Sequence, residues 1–249
     1  MRILILNPNT STDVTDRLAA AAKQATAEGT IIATATATRG VPYIATRAEA
    51  QIGGAIALEM LAELHREYDA AIIAAFGDPG LFGARELFDI PVVGMAEASM
   101  LTACMLGRRF AIVTFAHALG PWYQDCVDMH GMTGRCAGIR MLDDPFKSIG
   151  DVQDEKESLL AELANRAALE LEADAVILAG APLAGLAARI KDRMPVPIVD
   201  QIAAAVKQAE ALVTLGVRKP IVGTFRRPDP KETIGLPESL AARIEHRDR

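Results

Sequence analysis

Aromatic side chains are scarce in this sequence: seven Phe, three Tyr and one Trp among 249 residues, 4% in all. Proteins that hold single-stranded nucleic acid stack bases on aromatic platforms, so that function is not expected. The formal net charge is −6, and Lys and Arg occur only as scattered residues and pairs. Neither nucleic acid nor an anionic membrane surface is therefore an expected partner. Cysteine is sparse too. Cys104, Cys126 and Cys136 are an odd number without metal-ligand spacing, which fits a reduced, cytoplasmic set of thiols better than a disulfide framework. Long apolar runs are missing as well. The opening run, residues 3–6, stops at Asn7-Pro8-Asn9 and is too short for the apolar region of a signal peptide. Nothing approaches the roughly 18 apolar residues of a membrane span.

What is present reads as an Ala-rich globular chain, 51% hydrophobic and 23% charged. The length suits one large or two small domains, each able to bury a core. Short β-rich runs at residues 3–6, 30–36, 71–75, 91–94, 110–115, 137–142, 175–179 and 196–200 alternate with helical stretches. Apolar runs of this length, bounded by Gly, Pro or Asp, read as buried parallel strands. The segments between them are long enough for crossover helices. The last four runs look like a copy of the first four. The run ending at Ala75 matches that ending at Ala179, Pro91-Val92-Val93 matches Pro197-Ile198-Val199, and the spacing holds to within a residue.

The expected fold is therefore α/β: two pseudo-symmetric lobes, each with a four-stranded parallel sheet flanked by helices. One continuous doubly wound sheet is the alternative. The first lobe is expected to comprise residues 1–96 with about 210–249, and the second 97–209. The charged tail from Lys219 to Arg249 is expected to pack over the first lobe or to serve contacts between subunits. Parallel α/β sheets bind ligands outside the carboxyl ends of their strands, which places the expected site in the cleft between lobes.

The loops at those strand ends carry the candidate chemistry. Asn7-Pro8-Asn9-Thr10-Ser11 follows a strand and opens a helix. Thr10 and Asp13 have capping-box spacing, and free N–H groups at a helix start attract anions. The amides of Asn7 and Asn9 can read a carboxylate or an amide; plain turn and cap chemistry is the alternative. In Phe76-Gly77-Asp78-Pro79-Gly80 the glycines allow close backbone approach, and Asp78 either accepts a proton or caps a helix. His117, after Thr114, is either a general base or a solvated loop residue. Glu97 sits where a helix begins and suits its dipole. Cys104 lies on a nearly all-apolar helix and reads as a small hydrophobe.

Several of these motifs occur together in one family. Asn7-Pro8-Asn9-Thr10, Phe76-Gly77-Asp78-Pro79-Gly80-Leu81 with Arg85-Glu86, Pro91-Val92-Val93-Gly94 with Glu97-Ala98, and Pro197-Ile198-Val199-Asp200 resemble the hydantoin racemase branch of the Asp/Glu racemase superfamily. The resemblance runs from Met1 to about Gly216. It implies a two-lobed fold with the site between lobes, no metal and no organic cofactor, a small carboxylate or cyclic amide as substrate, and a homo-oligomer. It also exposes a departure. The family's racemases use one catalytic cysteine per lobe; the matching positions here are Ala75 and Gly180. Any isomerase chemistry must then use groups other than thiols, with His117 and Asp78 as first candidates. The expected substrate contacts are Asn7, Asn9, Ser11, Ala75, Phe76, Gly77, Thr114, Gly180 and Ala181. A lyase or hydrolase on a similar ligand, and a non-catalytic small-molecule-binding homologue, are the alternatives.

Overall fold

The computed structural model describes residues 1–142, 144–145, 147–149 and 151–248; Arg249, the last residue of the predicted tail, lies outside them. The described residues form two four-stranded sheets, all parallel. Strands β1 (Arg2–Asn7), β2 (Ile31–Thr36), β3 (Ala70–Ile73) and β4 (Val92–Gly94) lie in the order β2-β1-β3-β4. Strands β5 (Phe110–Thr114), β6 (Cys136–Met141), β7 (Ala175–Leu178) and β8 (Ile198–Asp200) repeat it as β6-β5-β7-β8. The chain is thus two copies of one sheet, and each predicted run coincides with a strand apart from its ends. Strands β1, β3, β5 and β7 are covered on both faces. Ile3–Leu6, Ala70–Ile73 and Ala175–Leu178 are all fully buried, which is why they read as unbroken apolar runs rather than alternating ones.

Nine helices cover these sheets among the described residues: α1 (Thr12–Ala25), α2 (Arg47–Leu64), α3 (Leu81–Leu87), α4 (Met95–Leu106), α5 (Gly120–Met129), α6 (Val152–Glu170), α7 (Leu186–Ile190), α8 (Gln201–Thr214) and α9 (Glu238–Ile244). The lobes exchange helices. Helix α4, which follows β4, packs on β7 and β8, whereas α8, which follows β8, packs on β3 and β4; the two also pack on each other. Their contact faces are rich in small residues, among them Ala96, Ala103, Ala205 and Ala209, with Met100 and Ile202 fully buried. A side chain of that size contributes about 1.5–3 kcal/mol when fully buried. None of the helices is long and apolar enough to cross a membrane, among the described residues.

Local signals set the helix starts. Thr46 and Glu49 form a capping box on α2. Asp200 caps α8 through Ile202 N and Ala203 N. On α1 the cap is Ser11, whose hydroxyl accepts from Val14 N, one residue later than the predicted Thr10. The reason lies in the tertiary structure: Thr10 N is bonded across to Val41 O. The tail packs over the first lobe, with α9 against α2. Arg243 ties it there by donating to Leu87 O and pairing with Asp89, both at 2.7 Å.

Candidate functional site

The loops that follow β3 and β7 meet between the lobes. Ala75 and Gly180 line one cavity, together with Asn9, Val14, Tyr43, Ile44, Phe76, Trp122, Tyr123, Ala181 and Pro182. Its water-accessible space is about 20 Å³, room for about one water molecule. Among the residues predicted to contact substrate, Asn9, Ala75, Phe76, Gly180 and Ala181 are on this wall.

Gly180 is held firmly. Its N–H donates to Gln201 Oε1 at 3.0 Å, and Gln201 Nε2 donates back to Gly180 O. Gln201 itself is fully buried. The backbone at Gly180 has φ +112°, a region where L side chains are strained. A Cβ placed there would lie 2.7 Å from Phe115 Cε1 and 3.4 Å from the Tyr123 hydroxyl. The space beside the missing side chain is therefore taken by an aromatic ring and a phenol.

Aromatic residues, scarce overall, gather around this point. Phe76 and Tyr123 have ring centroids 4.8 Å apart, Trp122 and Tyr123 5.5 Å, and Tyr43 and Phe115 5.8 Å. Trp122 also lines a larger outer pocket of about 510 Å³, with Arg47, Gln51, Gly77, Asp78, Asp125 and Cys126 among its walls. The indole thus stands between inner cavity and outer pocket, and it lies directly over Gly77, where a Cβ would collide with it.

None of the described residues lining the inner cavity is charged. Burial, and then the nearby Tyr43, push the Tyr123 hydroxyl well above its ordinary pKa. Burial and the Glu49 carboxylate raise Tyr43 likewise. Both phenols are neutral across the physiological range. The Tyr43 hydroxyl is buried and has no hydrogen-bond partner among the described residues. The Asn9 amide is half used: Oδ1 accepts from Ser11 N at 2.9 Å and from Asn7 Nδ2 at 3.0 Å, while Nδ2 makes no bond among the described residues.

The other predicted residues stand elsewhere. Asn7 is fully buried and serves the loop, with Nδ2 donating to Asn9, Ser11 O and Thr15 Oγ1. Ser11 is the cap of α1. Thr114 is fully buried and does not line the cavity, and Gly77 lies under Trp122. His117 is exposed on a short turn after β5; its carbonyl accepts from Gly120 N, and its imidazole makes no hydrogen bond among the described residues. Asp78 caps a remote helix: its two oxygens accept from Ala96 N and Glu97 N at the start of α4, both at 2.8 Å. His130 Nε2 adds a third contact to Asp78 at 3.0 Å, and its Nδ1 faces Glu97 at 3.5 Å. Glu97 forms a forked pair with Arg85, one arm at 3.0 Å. Burial alone would raise the Glu97 pKa, but Arg85 and His130 hold it below its usual value.

Asp78, Cys126 and His130 bring their ligand atoms within 4.8 Å of one another, a spacing that could hold a metal ion. The Asp78 oxygens are already engaged by three donors, so the trio fits a closed hydrogen-bonded cluster better. Burial, reinforced by Asp78, Glu97 and Asp125, drives the Cys126 thiol well above its ordinary pKa, and burial raises Cys136. No cysteine lines the inner cavity among the described residues.

Sequence reasoning missed Tyr43, Trp122 and Tyr123. The signal available was their rarity: in a chain with one Trp and three Tyr, Trp122 and Tyr123 are adjacent.

Comparison with known proteins agrees with this architecture. A profile of the Asp/Glu/Hydantoin racemase family matches residues 3–209. The hydantoin racemase of Paenarthrobacter aurescens is 32% identical over 236 residues, covering 94% of this chain and 100% of that protein. The solved structure of an allantoin racemase from Klebsiella pneumoniae superposes with a TM-score of 0.90 at 34% identity, covering 96% of this chain and 98% of that one. An allantoin racemase from Pseudomonas fluorescens gives 0.87 at 30% identity, over 94% and 100% of the two chains.

Proposed function

The chain belongs to the Asp/Glu/hydantoin racemase family, and from that premise we propose that it is a cofactor-independent isomerase that inverts a carbon centre without thiols. Its substrate is an uncharged cyclic amide of the hydantoin or allantoin type rather than a free carboxylate. The observation that carries this reading is the cavity shared by Ala75 and Gly180, whose described lining has neutral donors and no cation. An ionised carboxylate buried there without a partner would lose several kcal/mol of solvation. A cyclic amide needs only hydrogen bonds and apolar walls.

The proton transfer falls to a residue other than cysteine. Asp78 is committed to α4 and His130, which makes it a positioning residue. His117, whose imidazole makes no hydrogen bond among the described residues, lies two residues beyond Phe115, the ring that abuts Gly180. An imidazole suits a general base. Access for a ring-sized substrate requires the inner cavity to open. A second reading, a binding protein that has lost its chemistry, is favoured by one observation: no titratable carboxylate, imidazole or thiol lines the cavity among the described residues.

The test is incubation of enantiopure 5-substituted hydantoins, allantoin and amino acids with the protein in D2O, followed by NMR and polarimetry. Deuterium incorporation at the stereocentre of the cyclic amides alone supports the isomerase. Thermal stabilisation without exchange supports the binding protein. Substrate loss without exchange indicates a lyase or hydrolase.

A further inference from the structure

We infer that Tyr43 and Tyr123 are the ligand-binding groups of the cleft, acting as a pair of neutral hydrogen-bond donors to one carbonyl oxygen of the bound ring. The inference rests on the cyclic-amide reading above and assigns it two residues.

Three observations converge. First, the Tyr43 hydroxyl is buried beside the cavity with no partner among the described residues. Buried polar groups are almost always satisfied in a folded protein, and an unpaired one points to a missing partner. Second, the Tyr123 hydroxyl lies 3.4 Å from where a side chain at residue 180 would begin. It therefore occupies the flank of the cleft that the absent second thiol would have used. Third, the two phenols are electrostatic neighbours, and burial keeps both protonated. A neutral phenol donates a hydrogen bond without bringing a charge into a cavity that has none.

The same facts limit the role. A phenol whose ionisation is suppressed is a poor base, so the pair is not the source of proton abstraction. Its place is at the carbonyl next to the stereocentre. There, donation strengthens as the C–H proton leaves and negative charge moves onto the oxygen. In the ligand-free protein the space between the loops suits one water molecule in that role.

The test compares wild type with Tyr43→Phe, Tyr123→Phe and the double variant, using allantoin, a 5-substituted hydantoin and its thiohydantoin analogue as calorimetric probes. Each single substitution is expected to weaken binding of the oxygen compounds by about three- to tenfold. Sulfur accepts hydrogen bonds poorly, so wild type should prefer oxygen over sulfur, and the double variant should not. Melting of the ligand-free Tyr43→Phe protein should be unchanged or higher, because the lost hydroxyl has no protein partner among the described residues. Unaltered affinity in the phenylalanine variants, an oxygen preference that survives in the double variant, or a lower melting temperature for Tyr43→Phe would overturn the inference and leave the isomerase reading standing. Wild type that binds none of the probes would overturn the cyclic-amide reading itself, and the tyrosine assignment with it.

Discussion

Ala75 and Gly180 line one cavity from opposite lobes, each in the turn that follows the third strand of its sheet. These are the positions that the sequence resemblance pairs with the thiols of the family's racemases, and the structure treats them unequally. Ala75 has ordinary backbone geometry and borders free space. Gly180 has φ +112°, with Phe115 against the place where a Cβ would start.

Restoring the two thiols should therefore succeed on one side only. Ala75→Cys is expected to change stability by less than about 1 kcal/mol. Gly180→Cys combines backbone strain with overpacking and should destabilise by about 2–4 kcal/mol. In a chain of this size that is a fall of roughly 5–15 °C in melting temperature. Adding Phe115→Leu to Gly180→Cys should recover part of it. A Gly180→Cys protein that melts like wild type would show that the loop is not strained as described.

Trp122 reports on opening. It is the only tryptophan in the sequence and forms a wall of both the inner cavity and the outer pocket. A ring-sized ligand entering between Ala75 and Gly180 must displace it towards solvent. Saturating allantoin or hydantoin should red-shift its emission, with a midpoint equal to the calorimetric dissociation constant. An emission spectrum that stays fixed while calorimetry records binding would place the ligand elsewhere.

The tail should respond to acid. Burial works to raise the Asp248 pKa, but hydrogen bonds and charge from Arg243 and Arg227 outweigh it and hold the carboxyl at about 2. Its folded value is thus below its unfolded value of about 3.9. The stabilisation is complete above pH 4 and is lost as pH falls towards 2. Hydrogen exchange, corrected for intrinsic rates, should show α9 losing protection over that window. Asp248→Asn should show weakened protection already at pH 7. Equal protection of α9 at pH 5 and pH 2 in wild type would contradict the assignment.

Much of the architecture was legible because it is written locally. Residues 3–6 and 175–178 are apolar without a break, since both faces of their strands are covered, and that pattern needs no partner to be recognised. The duplicated spacing revealed two lobes, and the Phe-Gly-Asp-Pro-Gly motif located Ala75. What stayed hidden depends on distant contacts. Asp78 could be read as a cap, but not as the cap of α4, eighteen residues away and beyond an intervening strand. Tyr43 reaches the cleft from the connection between β2 and α2, and Trp122 and Tyr123 from a helix. Neither strand pattern nor strand-end position marks them. His117 has the right place in sequence, yet its turn leaves it exposed.

In the proposed reaction the cleft between Ala75 and Gly180 acts on a cyclic amide without thiol chemistry. Its most direct test is solvent-deuterium exchange at the stereocentre of enantiopure allantoin and a 5-substituted hydantoin. Wild type is compared with a folded Cys104→Ser, Cys126→Ser, Cys136→Ser triple variant. Exchange is expected at the same rate, within about twofold, in both proteins. No exchange in wild type, or exchange that disappears with the three cysteines while the variant remains folded, would contradict it.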